Sequence, residues 1–170
     1  MKAKFRILLS LFALLTLAAC DSQDSECRKD LRKDLGVALY IVDTNADGTI
    51  AEPRSFTPDS MSVKGLKMDS VLYRTSRANF NLPVSKTDTI SCYEIFIRHD
   101  DENTGRHILT TDTLTITYDN EQHFVSLECG CYINHQLHSA VSTTHFTDSL
   151  HIINQNITNA DETHINIYLH

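Results

Sequence analysis

The stretch that decides the fold is Thr113-Leu114-Thr115-Ile116-Thr117-Tyr118. Its apolar residues alternate strictly with threonine, and threonine itself favours an extended chain. Successive side chains of a β-strand point to opposite faces, so one set faces a core and the other faces solvent. The stretch therefore predicts a strand that is buried on one face.

The same pattern recurs on both sides of this strand. Segments 79–84 and 164–169 repeat the alternation. Segments 37–42 and 90–97 are apolar at odd and even positions alike, as in strands buried on both faces. Clusters of Asn, Asp and Gly that favour turns separate the segments: 45–48, 100–105, 119–120 and 159–161. About eight to ten short strands at this spacing predict an all-β fold, a single-domain antiparallel β-sandwich over residues 31–170.

Residues 1–19 carry the features of an export signal. Three cations in the first six residues precede an apolar run from Ile7 to Ala19, which is too short for a helix that spans ~30 Å of hydrocarbon. The run ends in Leu17-Ala18-Ala19-Cys20, which is the lipobox pattern of bacterial lipoproteins. We therefore expect residues 1–19 to be a lipoprotein signal peptide and Cys20 to be the lipid anchor, with palmitate among its acyl chains.

The charge of the chain limits its partners. The formal net charge is −7, and cleavage after Ala19 would remove three cations and no acid, leaving 151 residues at −10. A chain of that length forms one domain. Its acidic balance disfavours nucleic acid, so we expect no nucleic-acid partner. Contact with the membrane is expected through the covalently attached lipid.

Residues 20–30 are polar and rich in acid, which predicts a flexible acidic tether. Asp21, directly after the anchor, matches the inner-membrane retention signal of enteric-type bacteria, whereas acidic residues here also match a surface-export signal of another bacterial group. A solvated tether without a sorting role explains them equally. We expect a lipid-anchored protein of the cell envelope, at the outer membrane, and leave open whether it faces the periplasm or the exterior.

Four cysteines remain once Cys20 carries lipid, an even number that supports two disulfides in an oxidising compartment: Cys27, Cys92, Cys129 and Cys131. If residues 124–131 are extended, Cys129 and Cys131 lie on one face with Cβ atoms roughly 6–7 Å apart. A disulfide needs about 3.8 Å, so these two should not pair unless Gly130 kinks the strand. Each should then bond Cys27 or Cys92. One residue between cysteines is not the spacing of a zinc site.

Several motifs occur in order along the chain after the lipobox. They are Cys27, an early strand (Val37–Asp43), a Gly-x-x-x-Asp-Ser-aliphatic stretch (Gly65–Val71), a strand with proline near its end (Phe80–Val84), a threonine-rich hairpin, then Glu128-Cys129-Gly130, and a closing segment (Asn156–Asn159 with Thr163–Leu169). The chain thereby resembles a family of uncharacterised bacterial lipoproteins with a small β-sandwich domain of unknown function. The resemblance covers most of the chain after residue 20. It implies pairing of Cys27 with Cys129, which leaves Cys92 for Cys131, and it implies no activity.

The loop from Asp43 to Ile50 matches the first eight positions of an EF-hand calcium loop. Asp43, Asn45 and Asp47 supply oxygens at positions one, three and five. Position twelve, where calcium needs a bidentate glutamate, is Arg54. We therefore expect a turn with at most weak calcium binding, and no metal or other cofactor.

Nine histidines raise the question of a catalytic or metal site. His135 and His138 are three residues apart, but no carboxylate stands near them at ligand spacing. His164 and His170 alternate with the apolar set of the last segment and are expected to face water. Our main hypothesis is a non-catalytic binding or structural module whose partner is an envelope protein or glycan. The alternative is a hydrolase or metalloenzyme that uses the His135/His138 region.

Aspartate precedes serine or threonine more often than chance predicts. Eight of the 15 aspartates do so, and five of the eight continue into Met, Val, Ile or Leu. Asp-Ser/Thr-aliphatic resembles an O-glycosylation acceptor of exported bacterial proteins, and the candidate acceptors are Ser60, Ser70, Thr89, Thr113 and Ser149. The same pattern is typical of a turn that leads into a strand, where a hydroxyl is exposed. We expect glycosylation of at least one.

Overall fold

The computed structural model of the protein describes residues 33–43, 47–101, 105–127, 130–158 and 162–169. The predicted signal peptide, Cys20, the tether and Cys27 lie outside the described residues, as do Asn45, Cys129 and His170. In the described part of the chain, no helix is long and apolar enough to cross a membrane.

Eleven β-strands are described: β1 (Asp34–Ile41), β2 (Arg54–Ser55), β3 (Ser60–Gly65), β4 (Val71–Thr75), β5 (Asn79–Pro83), β6 (Ile90–Asp101), β7 (Arg106–Ser126), β8 (Gly130–Ser142), β9 (Thr147–Ile152), β10 (Asn156–Ile157) and β11 (Ile165–Leu169). The smaller sheet has the order β2-β1-β11-β9, and β5 also pairs with β1. The larger sheet has the order β10-β8-β7-β6-β3-β4. The two sheets pack on one core, which confirms the predicted all-β, single-domain sandwich.

The long strand β7 is the centre of the larger sheet. Its first half pairs with β6 and its second half pairs with β8, and only residues 114–117 pair with both. Leu114, Ile116 and Tyr118 are buried, as the alternation predicted. The threonines between them lie on the other face, where the Thr117 hydroxyl is 2.6 Å from that of Ser139.

The two runs that are apolar on both parities, 37–42 and 90–97, differ in how they are buried. Within the run 37–42, residues 37–39 are buried on both faces, as expected for a central strand, whereas residues 40–42 are half-buried. The run 90–97 in β6 is buried on one face only, which corrects the expectation. Phe96 and Glu94 lie on its outer face with Lys64, whose Nζ is 2.9 Å from the Glu94 carboxylate and 5.2 Å from the Phe96 ring centroid. The ammonium therefore covers the aromatic ring on a face open to water.

The first strand and the last strand pair in parallel, whereas the other ladders are antiparallel. His164, expected to face water, is 2% exposed at the start of this ladder. The Gly36 N–H donates to His164 Nδ1 at 2.9 Å, and the His164 N–H donates to the Gly36 carbonyl at 2.8 Å. The expectation failed because β11 begins one residue later, so the alternation does not govern His164. Gly36 has to be glycine here, since a Cβ atom would lie 1.9 Å from the Glu162 carbonyl oxygen.

The segment 124–131 is not one extended strand, which corrects the premise about its cysteines. β7 ends at Ser126, which pairs with Gly130 across a tight turn, and Gly130 has φ +73°. Leu127 lies in this turn and is 96% exposed. The turn removes the geometric argument that kept Cys129 and Cys131 apart.

The implied Cys92–Cys131 disulfide is wrong for this fold. Both are free cysteines. Cys92 pairs with Thr115 of β7 and Cys131 pairs with Phe124. These positions are nine residues apart on one strand, roughly 30 Å at ~3.3 Å per residue, whereas a disulfide needs Cα atoms about 4.4–6.8 Å apart.

Candidate binding cleft

An open cleft of about 570 Å³ lies between the edge of the larger sheet and the side of the smaller one. β4 is the last strand of the larger sheet, and the chain then crosses through residues 76–78 to β5 in the smaller sheet. The Ala78 carbonyl accepts a 2.9 Å hydrogen bond from Leu39 N–H, which fixes this crossing to β1. The crossing therefore brings side chains of both sheets to one depression.

The buried part of the cleft is apolar. Val37 of β1 and Phe80 of β5 are buried, and they are paired across the two strands. The Phe80 ring lies 6.3 Å from the Tyr73 ring, centroid to centroid, at a tilt of 51°. Tyr73 points inward because it pairs with the buried Val63 on the same face of the sheet.

The hydroxyl of Tyr73 is the one unusual polar group of this wall. Its oxygen is buried and has no hydrogen-bond partner among the described residues. Burial raises the pKa of this phenol well above its usual value, and the nearby Tyr93 and Asp34 raise it further. The hydroxyl therefore stays protonated at neutral pH, as a donor without an acceptor.

The rim of the cleft carries two cationic side chains. Arg74 and Arg77 are exposed, and neither forms an ion pair with any described residue, although Arg54 pairs with Asp43 at 2.7 Å. Glu162 on the opposite wall accepts a 2.8 Å hydrogen bond from the Asn154 amide. The amides of two asparagines on β5, Asn79 and Asn81, complete the rim. Guanidinium groups bind carboxylate, phosphate or sulfate in a planar, two-point manner, so this rim suits an anionic group.

The structure does not bring His135 and His138 together. His135 is 2% exposed in the core, with Nδ1 2.6 Å from Asn120 Oδ1, and burial lowers its pKa. Its Nε2 atom is buried without a hydrogen-bond partner among the described residues. His138 is on the solvent side of β8, with Nε2 2.8 Å from Asp119 Oδ2. The described residues contain no group of three or more His, Cys, Asp or Glu that would hold a metal ion.

The two described carboxylates of the calcium-like loop, Asp43 and Asp47, accept hydrogen bonds from other residues of the same loop. Arg54 Nε donates to Asp43 Oδ2 at 2.7 Å, so the cation at position twelve binds the ligand expected at position one. Asp47 Oδ1 accepts hydrogen bonds from the Thr49 hydroxyl at 2.6 Å and the Thr49 N–H at 3.0 Å, and these bonds lower its pKa. The described part of this loop, Asp43 and residues 47–50, thus lies between β1 and β2 with both of its carboxylates engaged.

The five candidate glycosylation acceptors fall into two groups. Ser60 begins β3, and Ser70 and Thr89 directly precede β4 and β6; all three are exposed. Thr113 and Ser149 are half-buried within β7 and β9. The interpretation as a turn leading into a strand therefore holds for the first three and fails for the other two.

The cleft residues were not predicted from the sequence. Tyr73, Arg74 and Arg77 are near each other in the chain, but nothing in their pattern marks a site. The only local signal was the proline-ended strand Phe80–Val84, which placed Asn79 and Asn81 on the outer parity. The site depends on the crossing between sheets, which brings β4 beside β5.

A family model described as "Family of unknown function (DUF6452)" matches residues 60–169. No curated protein and no solved structure matches the chain. The matched region runs from the first residue of β3 to the last of β11. It includes Tyr73, Arg74 and Arg77, and it leaves out β1 and β2.

Proposed function

The chain belongs to the DUF6452 family of unknown function, and on that premise we propose that it is a lipoprotein of the bacterial cell envelope with a non-catalytic binding domain. Residues 1–19 act as the signal peptide, Cys20 carries the acyl chains, and residues 20–30 form an acidic tether. The anchor is in the outer membrane. The lipobox Leu17-Ala18-Ala19-Cys20 supports this proposal.

The binding site is the cleft between β4 and β5, and its ligand is an acidic glycan of the envelope. The observation that carries this proposal is the pair of exposed guanidinium groups of Arg74 and Arg77, which form no ion pair with the described residues, in a chain with a formal net charge of −7. Sugar carboxylates fit the two arginines, and sugar hydroxyls fit the amides of Asn79 and Asn81. Because the chain as a whole is acidic, a general attraction to polyanions would not explain binding of an acidic glycan at this cleft.

The alternative was a hydrolase or metalloenzyme at His135 and His138. These two side chains lie on opposite faces of β8, one in the core and one in solvent. A shared general base or metal ion needs both in one site. The geometry therefore favours a binding domain over this enzyme.

The anchor is tested with Cys20→Ala in the native host. We expect this variant to lose its acyl chains and to remain uncleaved after Ala19, because the thiol is the acylated group. Mass spectrometry of the membrane-extracted protein provides the measurement. Normal cleavage and acylation in the variant would contradict the anchor.

The cleft is tested by calorimetry on the acylated full-length protein in detergent, with an oligogalacturonate as the acidic probe and a neutral malto-oligosaccharide beside it. We expect binding of the acidic probe alone. Arg74→Ala or Arg77→Ala should weaken it roughly tenfold or more, since a charge-assisted hydrogen bond contributes about 1.5–3 kcal/mol. Arg54→Ala removes the same charge from an already paired, exposed site and is the matched control. Equal effects of all three variants, or no binding, would exclude the cleft as an acidic-glycan site.

A further inference from the structure

The end of the molecule at the β7–β8 turn carries two exposed large apolar side chains. Phe124 is 65% exposed and Leu127 is 96% exposed. Among the described residues, the last buried side chain of β7 on this side is Tyr118, nine residues before Leu127. At ~3.3 Å per residue, Leu127 lies roughly 30 Å along the strand from Tyr118. Phe124 and Leu127 therefore form an apolar tip at the end of the hairpin.

The chain enters the domain beside this same hairpin. Lys33 is the first described residue, and its Nζ atom lies 5.0 Å from the centroid of the Tyr132 ring. Tyr132 pairs with His123 across β7 and β8, and their rings stack with centroids 5.2 Å apart. Phe124 is the next residue after His123. The N-terminal 32 residues therefore join the domain near the apolar tip.

The length of chain between the anchor and the hairpin sets a limit on distance. Under the proposed function, the acyl chains are on Cys20, 13 residues before Lys33, so the fully extended tether spans at most ~45 Å. Leu127 is four residues beyond His123, roughly 13 Å along the strand. The opposite end of β7 carries the similarly exposed Leu109, 18 residues or roughly 60 Å from Leu127. Leu127 is therefore much closer than Leu109 to the point where the tether joins the domain.

We propose that the β7–β8 turn is a membrane contact, in which Phe124 and Leu127 insert between phospholipid head groups beside the acylated Cys20. This inference rests on the lipid anchor of the proposed function. An acid, Glu128, follows Leu127 in the sequence, so the contact is with the hydrated head-group zone. Scattered apolar residues on a surface need no partner. Phe124 and Leu127 are assigned a lipid contact because they lie at the end of the domain where the tether joins.

The chain contains no tryptophan, so a single introduced tryptophan reports its own surroundings. The acylated full-length Leu127→Trp protein is reconstituted into phosphatidylethanolamine/phosphatidylglycerol vesicles with and without brominated acyl chains. Leu109→Trp, at the 69% exposed position on the other end, is the matched control. Side chains that bind at an interface lie roughly 5–10 Å into it. We expect at least about twofold stronger bromine quenching for Leu127→Trp than for Leu109→Trp, and Phe124→Trp should behave like Leu127→Trp.

Two further measurements separate this inference from the anchor itself. Intact mass gives the acylation of each sample, and co-flotation with vesicles gives its attachment. Acylated, floating protein with equal quenching at the two ends overturns the membrane contact and leaves the anchor standing. Unacylated protein overturns both. If the fluorescence of Leu127→Trp is shielded from solvent in native envelopes but not in vesicles, the tip contacts a protein partner instead of lipid. This outcome also overturns the proposal.

Discussion

Asp112 accepts two hydrogen bonds from His145, one from its backbone N–H at 2.8 Å and one from ring Nδ1 at 2.9 Å. No part of Asp112 is exposed. Its two oxygens also accept from the Thr143 hydroxyl at 2.6 Å and from the N–H groups of Phe146 and Thr147 at 3.0 and 2.9 Å. One carboxylate of β7 therefore holds the whole turn between β8 and β9.

Asp112→Asn is expected to destabilise the fold by about 3 kcal/mol or more, because the amide nitrogen would face donors and leave buried groups unpaired. Urea unfolding at neutral pH gives the free energy. Asp148→Asn, at an exposed position of β9, is the control and should change stability by less than about 0.5 kcal/mol. Equal effects of the two substitutions would contradict the role of the carboxylate.

The same carboxylate predicts acid sensitivity. Burial alone would raise the pKa of Asp112, but hydrogen bonds from Thr143, His145, Phe146 and Thr147 lower it well below its ordinary value of 3.8. A folded-state pKa below the unfolded one adds stability that is present above the unfolded pKa and is lost as the pH falls below it. We expect the wild type, compared with Asp112→Asn, to lose more stability between pH 5 and pH 2. Parallel pH profiles would refute this.

His164→Leu is expected to destabilise the fold by roughly 2–4 kcal/mol, since Gly36 N–H loses its acceptor in a buried site. His138→Ala, on the surface, should change stability by about 1 kcal/mol or less. Both values come from urea unfolding at pH 7.5. The hypothesis fails if the two substitutions have similar effects.

His164 also makes the fold sensitive to mild acid. Burial lowers its pKa, although the Asn156 carbonyl opposes this shift. The native state therefore holds the neutral ring, and stability falls as the pH drops below the unfolded value of 6.5. Protonated Nδ1 cannot accept from Gly36. Between pH 7.5 and 5.5, the wild type should lose more stability than His164→Leu, which keeps only the contribution of His135, whose pKa burial also lowers.

Peptide mapping under non-reducing conditions is expected to find Cys92 as a free thiol. The register on β7 puts it roughly 30 Å from Cys131, and Cys129 is only two residues from Cys131. Cys27 lies six residues before Lys33, which contacts Tyr132 of the same hairpin, so we expect a link from Cys27 to Cys129. Recovery of a Cys92–Cys131 or Cys92–Cys129 peptide would show that the register is wrong.

Glycopeptide mapping of the protein from its own host should find sugar only at Ser60, Ser70 or Thr89. These hydroxyls are exposed where strands begin, and a transferase has to reach the acceptor. Thr113 is half-buried within β7, and its backbone N–H donates to the Thr143 hydroxyl. Sugar on Thr113 or Ser149 would contradict this ranking, and an intact mass equal to the acylated bare chain would exclude glycosylation altogether.

Saturating calcium is expected to shift the melting temperature by no more than about 1–2 °C, because stabilisation requires binding to the native state. Arg54 already binds Asp43, and Asp47 is engaged by Thr49. Arg54→Glu is an informative companion, since it supplies the acid that position twelve lacks. A large shift in the wild type that a chelator reverses would show that the loop is a calcium site.

The sequence predicted what depends on local alternation. Leu114, Ile116 and Tyr118 lie in the core, as do Ile165 and Ile167, because a period of two fixes the face of each side chain. It could not predict the parallel pairing of β1 with β11, since nothing local in an apolar strand names its neighbour. Nor could it place the turn after Ser126, because Val125 and Leu127 continue the alternation into a loop.

The cleft was beyond sequence reasoning for the same reason. Arg74 and Arg77 have the sequence pattern of ordinary surface cations, and only the crossing from β4 to β5 brings them into one cleft with Phe80. His164 was misplaced because parity was extended one residue past the start of β11. In each case the missing information was a contact between segments far apart in the chain.

The pairing of β1 with β11 also bears on when the protein can fold. Gly36 and His164 are 128 residues apart, and the smaller sheet has no central ladder until both are present. Closing a longer loop adds little to the equilibrium cost, ~0.6 kcal/mol for each doubling of its length, but contacts distant in the chain slow folding. A chain that emerges from its amino end can pair β1 with β2 and β5 early, but the other edge of β1 stays open until β11 arrives. During synthesis or translocation, residues 165–169 therefore set the moment at which the smaller sheet is completed.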